Sequence, residues 1–76
     1  MRLATTNDYR GLFGGPITME LCTSTRPIIN ADGIVAESCL FLIDGSSEVK
    51  AEYTSTEAAL LGHKKLAAQY GLTHNI

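Results

Sequence analysis

Basic residues are few in this sequence, and no stripe of them appears. Six Lys and Arg stand against eight Asp and Glu, which gives a formal net charge of -2, and Lys64-Lys65 is the only adjacent basic pair. Because affinity for nucleic acid rests largely on neutralising phosphates, this balance argues against a nucleic-acid-binding protein.

Long apolar runs are also absent. The longest is Cys39 to Ile43, whereas a membrane-spanning helix needs about 20 apolar residues. The N-terminal stretch passes directly from Met1-Arg2-Leu3 into polar residues, unlike a signal peptide. We therefore expect a cytoplasmic protein with no membrane contact.

Two cysteines, Cys22 and Cys39, are too few for a disulfide-rich scaffold and are expected to be reduced. They form no C-x-x-C pair, and His63 and His74 lie too far apart for a metal motif. No phosphate-binding loop, dinucleotide fingerprint or G-x-S-x-G elbow occurs. We expect no catalytic residues, no metal, no cofactor and no enzymatic activity.

The 76 residues predict one small domain, 1–76. A chain of this length buries only about 60% of the surface it exposes when unfolded, so a partner or a second copy would help to stabilise it. Turn-forming residues predict a loop-rich segment over 1–16, at most with a short strand at Arg2–Ala4, and a flexible tail over 72–76.

Three stretches have the composition of strands. "ITMELCT" and "SSEVKAEYT" alternate apolar and polar residues, and "IVAESCLFLI" is apolar with β-branched and aromatic content. Turn signals at Asn30–Gly33 and Asp44-Gly45 separate them. We predict a three-stranded antiparallel meander near residues 16–24, 34–43 and 48–54, packed by one C-terminal helix, which is an α+β fold of βββα order.

The helix is predicted over residues 55–70. Thr54 and Glu57 have capping-box spacing, and Gly71 suits a left-handed C-cap. At about 100° per residue, one side of this helix is apolar or small, with Ala58 and Ala67 at its margins. It carries Ala59, Gly62, His63, Leu66 and Tyr70.

Gly62 and His63 lie inside the helix, where glycine costs about 1 kcal/mol relative to alanine. A small notch at Ala59 and Gly62 would let the helix approach the sheet closely. His63 has two interpretations: a partly buried ring bonded to a backbone group, or a residue that binds a ligand near neutral pH. In the second case the possible ligand-binding residues are Gly14, Gly15, His63, Lys64 and Lys65.

One helix covers only one face of a sheet. With a hairpin loop of two or four residues, Leu42, Leu40, Ser38 and Ala36 share the helix-covered face with Val49, Ala51 and Tyr53. A three-residue loop would swap the faces of the central strand. The N-terminal loop, with Leu12 and Phe13, could cover the other face; otherwise an apolar row marks a partner interface. That row is Val35, Cys39, Phe41 and Ile43.

Two stretches, "FGGPITMEL" and "YTSTEAALLGHKKL", resemble a family of small uncharacterised tailed-phage proteins. In that family an FGGGP-type turn enters a strand, and a Y-x-T segment begins a helix with a Gly-His pair. The resemblance covers about half the chain, omits its middle, and lacks the acidic and aromatic residues that often follow the family's first strand. It implies a phage origin and a cytoplasmic setting in the infected host, but no activity.

The leading hypothesis is a small non-enzymatic interaction protein that binds a host protein, such as a defence or transcription component, or itself as a homo-oligomer. One alternative is a protein that binds a small ligand such as a signalling nucleotide. The other is a nucleic-acid-binding βββα module, against which Glu48, Glu52 and Glu57 stand at the positions where basic residues are needed.

Overall fold

The computed structural model describes residues 1–8, 19–26, 33–42 and 44–75. Its elements in chain order are β1 (Arg2–Asn7), β2 (Met19–Thr25), β3 (Ala36–Leu42), β4 (Ser47–Tyr53), α1 (Thr56–Gln69) and β5 (His74–Asn75). The strands form one antiparallel sheet of order β4-β3-β2-β1-β5. The α+β class, the antiparallel sheet and the C-terminal helix are confirmed.

The predicted meander corresponds to β2, β3 and β4, but the sheet has two further strands. β1 lies in the segment predicted to be loop-rich, and β5 lies in the predicted tail. β1 has little hydrophobic alternation because Thr5, Thr6 and Asn7 are polar, yet all three are buried. β1 is an interior strand, and its backbone groups bond to β2 on one side and to β5 on the other, so it needs no apolar side chains.

The β3–β4 hairpin closes between Leu42 and Ser46, where the Leu42 amide donates to the Ser46 carbonyl at 2.9 Å. Three residues separate this closing pair, which is the alternative to a loop of two or four residues. A bulge at Lys50 then shifts the register, because Cys39 pairs with Val49 whereas Ser38 pairs with Ala51. The faces of β3 stay as predicted, but Val49 moves to the face without the helix.

The helix begins one residue later than its predicted cap. Ser55, not Thr54, is the N-cap, and its hydroxyl accepts a hydrogen bond from the Ala58 amide at 3.1 Å. At the other end Gly71 has a φ of 69°, and the Leu72 amide donates to the Ala67 carbonyl at 2.8 Å. This is the predicted glycine C-cap, in its Schellman form.

The layer between helix and sheet has an apolar half and a polar half. Leu21, Leu40, Ala67 and Leu72 form the apolar cluster, with Leu66 and Tyr70 packed against it. Toward the other end of the helix, His63 is buried against three hydroxyl-bearing strand residues: Thr6, Thr23 and Ser38. The predicted inward side of the helix is confirmed by the burial of Ala59, His63 and Ala67.

Candidate functional site

The sheet face without the helix carries an exposed apolar cluster at β3 and β4, which we call the outer patch: Cys39, Phe41 and Val49. Phe41 is 43% exposed and Val49 is 56% exposed, whereas Cys39 is partly buried beside Val49. Of the other predicted interface residues, Val35 is partly buried before β3, and Ile43 lies outside the described residues. The predicted cover by Leu12 and Phe13 also falls outside them.

Acidic side chains surround the outer patch. Glu20 pairs with Phe41 across β2 and β3, Asp44 lies in the hairpin turn, and Glu37 pairs with Glu52 at the opposite end. The Arg26 guanidinium binds both of these last two carboxylates, and they raise its pKa. Arg2 lies in the same cross-strand row as Glu37, through its pairing with Ser24. Among the described residues, four carboxylates thus stand against two guanidinium groups, and the surroundings of the patch are negative.

A second exposed apolar cluster lies on the helix side that faces away from the sheet. We call it the helix patch: Leu60, Leu61, Lys64 and Lys65. Leu60 is 44% exposed and Leu61 is 62% exposed, and both lysines are exposed beside them. Glu57 lies on the same side, so two ammonium groups oppose one carboxylate and the helix patch is basic.

Between helix and sheet, six side chains from six elements form one chain of hydrogen bonds. Going along it, Tyr53 Oη lies 2.9 Å from Ser38 Oγ, which lies 2.5 Å from Thr23 Oγ1, and Thr23 Oγ1 lies 2.7 Å from His63 Nδ1. On the other side of the ring, His63 Nε2 lies 2.8 Å from Thr6 Oγ1, which donates to Asn75 Oδ1 at 2.8 Å. This polar chain crosses the sheet from β4 to β5.

The hydrogen bond from Thr6 to Asn75 determines which atom donates and which accepts along the polar chain. Because the Thr6 hydroxyl donates to Asn75, it must accept from Nε2–H of His63. The neutral ring then accepts at Nδ1 from Thr23, which accepts from Ser38, which in turn accepts from Tyr53. The hydroxyls of Ser38, Thr23 and Thr6 thus each donate once and accept once, and the Tyr53 hydroxyl begins the polar chain as a donor.

His63 is engaged on both ring nitrogens. Burial lowers the pKa of its imidazole below the ordinary value of 6.5 and favours the neutral form. Its partners are side-chain hydroxyls, not the backbone group that the sequence suggested. The geometry is that of a buried ring that organises the layer between helix and sheet, and neither nitrogen points to an incoming ligand.

Gly62 makes room for one end of the polar chain. A Cβ atom built on Gly62 would lie 2.6 Å from Cζ and 2.5 Å from Oη of Tyr53. The absent side chain lets the phenol pass beneath the helix and reach Ser38. The predicted notch exists, and what enters it is an aromatic side chain of β4.

A cleft of about 370 Å³ opens where the helix meets β1 and β5. Among its lining residues are Thr6, His63, Lys64, Thr73 and Asn75. Lys65 is exposed elsewhere on the helix, and Gly14 and Gly15 lie outside the described residues. Of the predicted ligand-binding residues that the structure describes, His63 and Lys64 lie together in this cleft and Lys65 does not.

Sequence reasoning missed the partners of His63. Thr6 was assigned to a loop, and Thr23 was not singled out. The available signal was parity: Thr23 lies two residues after buried Leu21, and Ser38 lies two residues before buried Leu40. Hydroxyl groups at successive inward positions of neighbouring strands indicate a buried polar acceptor or donor on the covering helix.

Comparison of the chain with protein-family models, curated proteins and solved structures finds no match. Within the described residues, no group of three or more His, Cys, Asp or Glu side chains is placed to hold a metal ion. The one helix of that part of the chain is too short and too polar to cross a membrane.

Proposed function

We propose that this protein is a small non-enzymatic interaction protein that binds another protein molecule through the outer patch. The observation that carries the proposal is the exposure of Phe41 and Val49 side by side on the face without a helix. Aromatic side chains dominate binding energy at protein interfaces, and full burial of a Phe or Val side chain contributes about 1.5–3 kcal/mol.

The rim of the outer patch defines the chemistry of its partner. In the described part of the chain, the excess of carboxylates over guanidinium groups favours a partner surface that is apolar at its centre and basic around it. Two outer patches placed face to face would bring like charges together. The free edge of β4 is also poorly suited to self-pairing, because it carries a bulge at Lys50 and alternating charged side chains.

The helix patch has the chemistry that the outer patch requires. Leu60 and Leu61 supply the apolar centre, and Lys64 and Lys65 supply the positive charge. The occupant we propose is therefore a second copy of this chain, with the outer patch of one copy seated on the helix patch of the next. Such head-to-tail contacts are heterologous, so they build rings or open chains rather than a closed symmetric dimer.

The contact should be weak, because a stable specific interface buries about 1,200–2,000 Å² and each patch has few apolar side chains. A weak self-contact also leaves the outer patch available to another protein. In the phage setting implied by the resemblance, that protein would be a host component with an apolar and basic surface, whose binding inhibits it.

The experiment measures molar mass against concentration by light scattering. The average molar mass of the wild type should increase with its concentration, and added salt should reverse part of this increase. Phe41→Lys should remain a folded monomer throughout, whereas the matched control Phe41→Leu should still associate. A wild type that stays monomeric excludes the second copy as occupant, and an unfolded Phe41→Lys would show that Phe41 belongs to the core.

A small-ligand-binding protein is the second candidate, and the cleft beside Lys64 is the observation that favours it. One cationic side chain, with Thr73 and Asn75 near it, would suit an anionic ligand such as a signalling nucleotide. The engagement of both His63 nitrogens weakens this candidate. Saturable binding of a nucleotide that Lys64→Gln abolishes in a folded protein would favour it over the interaction proposal.

A further inference from the structure

The two cysteines of the chain face each other across neighbouring strands. Cys22 of β2 and Cys39 of β3 are direct partners, in a register that is unbroken from Met19 to Thr25. Both are free thiols, and both are partly accessible to solvent. Nothing in the polar chain or the apolar core uses their sulfur atoms.

The spacing between the two positions follows from the hydrogen-bond pattern. The Arg26 amide donates to the Val35 carbonyl at 2.9 Å, which makes these residues a hydrogen-bonded pair of the antiparallel ladder. Such pairs recur every second residue, so Cys22 and Cys39 are one as well, with Cα atoms about 5.5 Å apart. Disulfides form at Cα separations of about 4.4–6.8 Å.

We propose that Cys22 and Cys39 are a thiol modification site that forms a reversible cross-strand disulfide with low-molecular-weight disulfides as oxidants. The Cys22 thiolate attacks one sulfur of the small disulfide and releases one small thiolate. The Cys39 thiolate then attacks Cys22 Sγ and releases the second. Two protein S–H groups become one S–S bond, and the small disulfide takes both electrons and both protons to become two thiols.

The surroundings of each sulfur set the order and the rate of these steps. Cys22 Sγ now accepts a long hydrogen bond, 4.0 Å, from the Thr5 hydroxyl of β1, and must turn toward β3 to reach its partner. Burial, with a smaller effect of the Glu37 carboxylate, raises the pKa of the Cys39 thiol. Ring closure needs the Cys39 thiolate and therefore accelerates as the pH rises.

The bond should be easy to reverse. Side chains of a hydrogen-bonded pair lie farther apart than those of the alternating, closer pairs, so a disulfide here is strained and more readily reduced. In a reducing cytoplasm the resting form is the dithiol, and the disulfide forms when small disulfides accumulate. Cys39 also belongs to the outer patch, but this inference rests on the register of β2 and β3 and does not require the proposed contact.

The test treats the folded protein with oxidised glutathione at mildly alkaline pH and measures the intact mass. The wild type should lose two hydrogen atoms and retain no glutathione, and dithiothreitol should restore the two hydrogen atoms. Cys39→Ser should instead stop at a stable glutathione adduct on Cys22. Wild-type protein that keeps glutathione on both cysteines, links to a second molecule or does not react would overturn the proposal.

Discussion

The phenol ring of Tyr53 occupies the space that a side chain on Gly62 would fill. This relationship explains why a helix of otherwise strong helix-forming residues has a glycine in its middle. The ring passes through the notch and donates its hydroxyl proton to Ser38, which begins the polar chain to His63. One missing Cβ atom on the helix therefore permits a hydrogen-bond network in the sheet.

Gly62→Ala should destabilise the protein, although alanine favours the helix by about 1 kcal/mol. The added Cβ would overlap the Tyr53 ring, and overpacking of this kind costs about 1–3 kcal/mol before the loss of the bond to Ser38 is counted. We expect a net loss of about 1–2 kcal/mol in the free energy of unfolding, measured by urea denaturation.

A double variant provides the control for this prediction. Tyr53→Leu removes the ring, so Gly62→Ala made in that background should be neutral or stabilising, as helix propensity alone dictates. A single Gly62→Ala variant more stable than the wild type would show that the ring does not occupy the notch.

Thr23→Val should be costly, because Thr23 is the middle of the polar chain. Valine has a similar shape but leaves His63 Nδ1 and the Ser38 hydroxyl without their shared partner. Each buried polar group left unsatisfied costs about 1–3 kcal/mol, and we expect a loss of at least about 2 kcal/mol by urea denaturation. Thr5→Val is the matched control, because Thr5 is also buried but, among the described residues, its hydroxyl makes only a long contact to the sulfur of Cys22. Equal effects of the two changes would contradict a special role for the polar chain.

Stability should fall as the pH drops below 6.5, the ordinary pKa of histidine. Burial lowers the pKa of His63 in the folded state, so the unfolded chain binds a proton first. The contribution of the neutral ring is complete above pH 6.5 and is lost between that pH and the folded-state pKa. Thermal melts of wild type and His63→Gln across this range should therefore converge on acidification. A difference in Tm between the two proteins that widens as the pH falls would mean that the folded protein stabilises the charged ring.

The fold could be predicted where the hydrophobic pattern agrees with the turn and helix-capping residues that bound each element. β2, β3, β4 and the helix with its Gly71 cap follow from alternation, β-branched content and capping residues. Of β1, only the short strand at Arg2–Ala4 was suggested by the sequence. Its second half could not be found this way, because Thr5, Thr6 and Asn7 are buried polar residues whose place depends on pairing with distant strands. β5 has two residues, too few for any pattern.

The outer patch and the surroundings of His63 were predicted only in part, because they depend on the register between strands. Phe41 and Cys39 lie on the expected face, but Val49 joined them through a bulge that no local signal announced. The inward side of the helix placed Gly62 and His63 correctly. The two hydrogen-bond partners of His63 come from two different strands, β1 and β2, so they could be identified only from the register of the sheet. The exposed leucines of the helix patch could be interpreted as a contact surface only after the acidic rim of the outer patch was known.

The most direct measurement of the proposed contact mixes two variants that each lack one patch. Phe41→Lys blocks the outer patch, Leu61→Glu blocks the helix patch, and each should be a folded monomer alone at high concentration. Mixed in equal amounts they should form a one-to-one complex by sedimentation velocity, because one retains the helix patch and the other retains the outer patch. A mixture that sediments as two monomers, while the wild type associates, would contradict the head-to-tail contact between the outer patch and the helix patch.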